Sequence, residues 1–72
     1  MIRFNLRGEY IELNKLLKAT SVCSSGGVAN QAIVEGLVKV DGTLELRKAC
    51  KIRPGQQVEF NGNTILVGAM VH

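Results

Sequence analysis

Four cations crowd into seven residues at Arg47-Lys48-Ala49-Cys50-Lys51-Ile52-Arg53, with no carboxylate among them. Like charges this close repel one another unless solvent or an anion relieves them. A phosphate backbone does so and releases counterions in return. Lys39, in the neighbouring strand pattern, adds to the patch. The plainer account of the run is a solvated connection between strands, and composition alone does not separate the two. Ser24-Ser25-Gly26-Gly27 is a second candidate, because it reads as the start of a helix. Free amides there carry partial positive charge, and glycines let a phosphate come close. Serine at such a position also serves as an ordinary cap, which is the commoner role. The nucleotide-loop spacing G-x-x-x-x-G-K-S/T is absent.

Catalysis finds little support. His72 is the sole histidine and stands last in the sequence, so no Ser-His-Asp set is built convincingly around it. Glu9, Glu12, Glu35, Asp41, Glu45 and Glu59 are scattered, without the paired spacing of acid–base work. Cys23 and Cys50 form neither a CxxC nor a metal-ligand spacing. The cations around Cys50 would lower its thiol pKa and raise its reactivity were it exposed. A small half-buried residue between strands is the simpler role, with Cys23 packed beneath the helix connection. The expectation is a non-enzyme with no metal and no cofactor. Aromatic residues are 4% of the chain and none interleaves with the basic run. Stacking of splayed bases on an OB-fold or RRM platform is therefore not expected.

The elements that must position these residues can be read from apolar spacing. Ile2, Phe4 and Leu6 alternate with polar neighbours as a half-buried strand does, and Gly8 stops the pattern. From about Ile11 to Ala19 the spacing of Leu13, Leu16 and Leu17 is helical, with Lys15 and Lys18 on the wet side. Ala29, Ala32 and Ile33 share one face of a second helix that follows the serines, and Gly36 suits the left-handed position past its end. Small alanines let the two helices approach closely.

The second half reads as strands. Val38 and Val40 lead to Asp41-Gly42 and then to Leu44 and Leu46. A two-residue turn would set Val38 opposite Glu45. A three-residue loop with a bulge sets it opposite Leu44, and keeping apolar residues on one face favours the longer loop. Arg53-Pro54-Gly55-Gln56 suits a type II turn. Asn61-Gly62 suits a two-residue turn that places Val58 opposite Ile65, with Phe60 and Val67 on the same side.

Seventy-two residues are one small domain, in which about 60% of the unfolded chain's surface becomes buried. Hydrophobic residues at 46% and charged residues at 21% are a globular mix. A net charge of +3 and a pI near 9.2 lean towards a polyanionic partner. No apolar run approaches the twenty or so residues that cross a bilayer, and no leader pattern opens the sequence. The expected setting is the cytoplasm, with both thiols reduced and no membrane contact.

Taken together, three stretches carry a family resemblance: Leu13-Asn14-Lys15-Leu16-Leu17-Lys18, then Ser25-Gly26-Gly27-Val28-Ala29, then Glu35-Gly36-Leu37-Val38-Lys39-Val40-Asp41-Gly42. They resemble the RNA-binding domain named after ribosomal small-subunit protein S-four, also called the αL motif. Glu45 to Gln56 resembles that family's ending, a basic stretch leading into a Gly-containing turn. The similarity covers about residues 10–60, with a strand over residues 1–8 added to that core. Its most specific element is Gly-x-Val-x-Val-Asp-Gly after a Ser-x-x-x-Ala helix. The short length, the leading strand and Gly8-Glu9-Tyr10-Ile11-Glu12-Leu13 resemble the small stand-alone bacterial members, the YbcJ-like proteins.

The resemblance implies an α+β fold with two packed short helices against a small antiparallel sheet with hairpins. It also implies binding of structured RNA, ribosomal or transfer RNA, in ribosome assembly or association, with ribosomal proteins as further partners. The residues implied are Ser25, Gly26, Gly27 and Asn30 on the second helix, and Lys39, Arg47, Lys48, Lys51 and Arg53 beyond it. Lys15 and Lys18 of the first helix add charge. Many members carry arginines in place of Gly26 and Gly27, and a Lys or Arg in place of Asn30. That moves charge off the helix and onto the later basic stretch. A protein-interaction adaptor in an RNA-processing or replication assembly is the competing expectation, and an enzyme fragment is a third.

Overall fold

The computed structural model describes residues 1–69; the histidine considered above, His72, lies outside the described residues. The N-terminal alternation builds strand β1, Ile2–Leu6, with Leu6 buried. The helix expected from Ile11 begins later. Ile11 and Glu12 form a two-residue strand, β2, and helix α1 covers Leu13–Ala19. The reason lies in the basic run. Ile11 pairs with Ile52 of strand β5, Lys51–Ile52, and Ile52 is fully buried. Glu12, at the cap position, makes no side-chain capping bond. The amides of Leu13 and Asn14 donate instead to the carbonyls of Cys50 and Lys48, at 2.8 and 3.1 Å. A helix start leaves such donors unpaired, and here the loop supplies the acceptors.

Helix α2, Gly26–Val34, starts and stops as its sequence predicts. Ser25 caps it, its hydroxyl accepting from the Val28 amide at 3.2 Å. Gly36 has a φ of +77°. Its amide donates to Ile33, and that of Leu37 donates to Ala32, the two bonds of a Schellman closure. Leu13, Leu16 and Leu17 of α1 and Ala29 and Ile33 of α2 are fully buried together with Val38, Ile52 and Val58.

The remaining strands are β3, Val38–Val40; β4, Thr43–Leu44; β6, Gln57–Phe60; and β7, Asn63–Ala69. They join β1 in a five-stranded sheet of order β1-β7-β6-β3-β4, while β2 and β5 form a separate pair. The α+β arrangement of two helices on a sheet holds, but the sheet is mixed. β1 runs parallel to β7, with Phe4 beside Val67. The Asn61-Gly62 hairpin has its expected register, Val58 opposite Ile65.

The first hairpin departs from expectation. Lys39 pairs with Leu44, and the Glu45 amide donates to Val38, so the turn is the two-residue one. Asp41 and Gly42 have φ values of +52° and +80°, as a type I′ turn requires. Two causes override the apolar alternation. The Asp41 carboxylate accepts from the Gln57 amide at 2.9 Å and from Gln56 Nε2 at 3.1 Å, which ties the turn to β6. β4 is also an edge strand, so Leu44 and Leu46 need not enter the core; both stay about half exposed. No helix among the described residues is long and apolar enough to cross a membrane.

Candidate nucleic-acid interface

The residues from Arg47 to Arg53 are not a free loop. Carbonyls at Lys48 and Cys50 hold the first amides of α1, and Lys51-Ile52 pair with β2. The anchored backbone leaves the Arg47, Lys48, Lys51 and Arg53 side chains exposed. Asn14 carries the connection one step farther. Its amide donates to the Lys48 carbonyl, and its side-chain Nδ2 donates to Asn30 Oδ1 at 2.9 Å. Loop, α1 and the middle of α2 are thus joined through one residue, its backbone holding the loop and its side chain holding α2. Lys15 stands one residue beyond and forms a 3.0 Å ion pair with Glu12, the register partner of Lys51.

Not every cation is equally available. Arg47 Nε lies 2.9 Å from Glu45 Oε2, and its Nη2 donates to Oε1 at 3.3 Å. The charges of the run are therefore not all unpaired: a carboxylate two residues upstream occupies the guanidinium fork. Hydrogen bonds from the Arg47 side chain and backbone bring the Glu45 carboxyl down to about 2. Cys50 follows the simpler of its two expected roles. Burial, its largest influence, raises the thiol pKa and outweighs the neighbouring Arg47, so the half-buried structural role stands. Burial raises the Cys23 thiol as well.

The helix residues divide similarly. Ser25 is occupied as a cap, whereas a Cβ on Gly26 would meet nothing within 4 Å and one on Gly27 only the Ser25 hydroxyl at 3.8 Å. Neither glycine has a left-handed backbone, so neither is required by packing. Lys18 is exposed in the last turn of α1, at the end from which the chain passes to Ser25. Lys39 is apart from the others. It sits between Leu44 and Glu59 on the sheet face opposite to buried Val38 and Val40.

Two residues of this surface were not singled out from the sequence. Asn14 is the bridge just described. Tyr10 brings an aromatic ring to the basic run, with Lys51 Nζ 4.9 Å and Arg53 Cζ 5.9 Å from its centroid. The absence of interleaved aromatics thus holds along the chain but not in space. Among the described residues no group of His, Cys, Asp and Glu could hold a metal ion.

Two helices on a mixed sheet, with a basic segment pinned to the start of the first, define an S4-type αL domain. Residues 4–68 match the S4 domain family, and the chain belongs to it. It is 47% identical over 70 residues to the YbcJ proteins of Escherichia coli K12 and Shigella flexneri, spanning 96% of this chain and the whole of each relative. The solution structure of Escherichia coli YbcJ, described as revealing an αL motif involved in RNA-binding, superposes with a TM-score of 0.75. That match covers 96% of this chain and 89% of the solved one.

Proposed function

We propose that this protein is a non-enzymatic module that binds structured RNA through phosphate and shape contacts, in the cytoplasm. Asn14 carries the reading, because it draws Lys48 and Asn30 onto one surface. Lys15, Lys51 and Arg53 extend that surface, and Ser25, Gly26, Gly27 and Lys18 continue it along the helices. Lysine and arginine contacts of this kind position a nucleic acid without reading its bases. Ribosomal RNA, in ribosome assembly or association, is the substrate that the family membership favours, with transfer RNA as the other structured class. The test is a salt titration against a ribosomal RNA fragment. Four to six neutralised phosphates give a log–log slope of about −3 to −5, and a flat response would overturn the proposal. Duplex DNA of equal length, lacking A-form geometry and 2′-hydroxyls, should bind more weakly.

A second reading has an observation of its own. Val28, Val34, Leu37, Leu44 and Leu46 are each between 47% and 57% exposed, and Val28 and Leu37 line one groove. It favours a protein-interaction adaptor. Crosslinking in cells distinguishes the two: RNA recovered with the tagged protein supports the first, and protein partners alone support the second.

A further inference from the structure

The β2–β5 ribbon has two unlike faces. Ile11 and Ile52 pair across it on the core side. Strand alternation then places Tyr10, Glu12, Lys51 and Arg53 together on the solvent side. Lys51 lies over the Tyr10 ring at 4.9 Å and Arg53 at 5.9 Å, yet Tyr10 remains 42% exposed. Both cations come from the β5 side of the ribbon. A surface cation–π contact that merely steadies the ribbon is the simplest role for such a cluster.

The surroundings ask for more than that. A groove beside the ring is lined by Tyr10, Ile11, Glu12 and Lys15. Its one carboxylate, Glu12, is already held by Lys15 at 3.0 Å. Glu12 and Lys15 offset each other in that lining, so Lys51 and Arg53 beside the ring leave this face of the ribbon net positive, around a partly exposed aromatic ring. Proteins that hold single-stranded nucleic acid use this combination, with cations on the phosphates and a ring against a base. A fully paired helix cannot engage the ring, because its bases are stacked inside the duplex.

We infer that Tyr10 stacks one unpaired nucleotide of the bound RNA, while Lys51 and Arg53 hold the phosphates flanking it. This rests on the RNA-binding reading and adds to it a preference for a loop, bulge or strand end. A multi-ring platform is not needed. The other two aromatic residues, Phe4 and Phe60, pack against the core, so the site takes a single base.

Tyr10 is the sole tyrosine and the chain has no tryptophan, so its ring resonances can be followed in the whole protein by NMR. The probes are a blunt RNA duplex and a hairpin of the same stem closed by an unpaired loop. The hairpin is expected to move the Tyr10 ring protons upfield and to bind more tightly than the duplex. Tyr10→Ala should weaken hairpin binding roughly tenfold and duplex binding far less, while Tyr10→Phe retains most of the hairpin affinity. The wild-type ring shift does not depend on how any variant folds. Hairpin binding that leaves the ring resonances in place, or equal losses on both probes, would overturn the stacking role alone. If neither RNA binds, the RNA-binding reading fails along with it.

Discussion

Asn14 Nδ2 donates to Asn30 Oδ1 at 2.9 Å across sixteen residues, while the Asn14 amide holds the Lys48 carbonyl. One residue therefore links the basic segment to α2, through its backbone on one side and its side chain on the other. Asn14→Ala should cost about 0.5–1.5 kcal/mol, the usual net worth of such a bond. It should also weaken RNA binding, although Asn14 carries no charge. Urea melts together with a binding titration measure both. An unchanged RNA affinity in a destabilised variant would mean that the bridge is structural only.

Asn30→Lys removes the acceptor of that bond but adds a cation. The expected outcome is a stability loss of about 1 kcal/mol combined with tighter RNA binding. The salt slope should steepen by nearly one unit, as for one further phosphate contact. Paired salt titrations on wild type and variant decide it, and equal slopes would place Asn30 off the nucleic acid.

Gly26→Arg tests whether the helix start faces RNA. Its Cβ would meet nothing within 4 Å. Leaving glycine gains roughly 0.5–1 kcal/mol within a helix. A cation near the positive helix end costs about 0.3–1 kcal/mol, so stability should hardly change. RNA affinity should rise several-fold. A melt and an affinity that both match wild type would argue that this end of α2 points away from the ligand.

Glu45 competes with RNA for Arg47. Its carboxyl lies at about 2, below the ordinary value of 4.5, so the pair stabilises the fold fully above pH 4.5 and loses that contribution as pH falls through about 2. Glu45→Gln should flatten this part of the acid unfolding curve. At neutral pH the loss of stability should be small, because the Arg47 side chain is largely exposed and the pair is screened by solvent. RNA binding should tighten as the guanidinium is released. By the same logic, Lys51→Ala should harm binding more than Arg47→Ala does.

Gly42→Val tests the hairpin without touching the basic surface. Gly42 sits at a φ of +80°, which a β-branched residue adopts only under strain. A loss of about 1–3 kcal/mol in a chemical melt is expected, with RNA affinity unchanged for the folded fraction. A neutral effect would contradict the two-residue turn.

Much of this architecture is local, and local patterns are legible. Ser25 at the head of α2, Gly36 at its end and Asn61-Gly62 between β6 and β7 are each dictated by neighbouring residues, because capping and turn geometry involve only a few bonds along the chain. The leucines of α1 and the valines of β3 announce their buried faces by period alone. Family and candidate cations were likewise readable, since charge and motif spacing are properties of the chain.

What the tertiary structure decided are the relationships that close long loops. The Asp41 turn looked better as a bulged loop because the Gln56 and Gln57 partners of its carboxylate lie fifteen and sixteen residues away. Ile11 and Glu12 read as helix because their partners, Ile52 and Lys51, lie farther still, 41 and 39 residues along the chain. That pairing also delivers Tyr10 to Lys51 and Arg53, while Asn14 reaches Asn30 only once α1 and α2 have packed. Composition and spacing supplied the charges, but which of them share a surface depended on backbone pairing and side-chain bonds between segments that no local pattern can register.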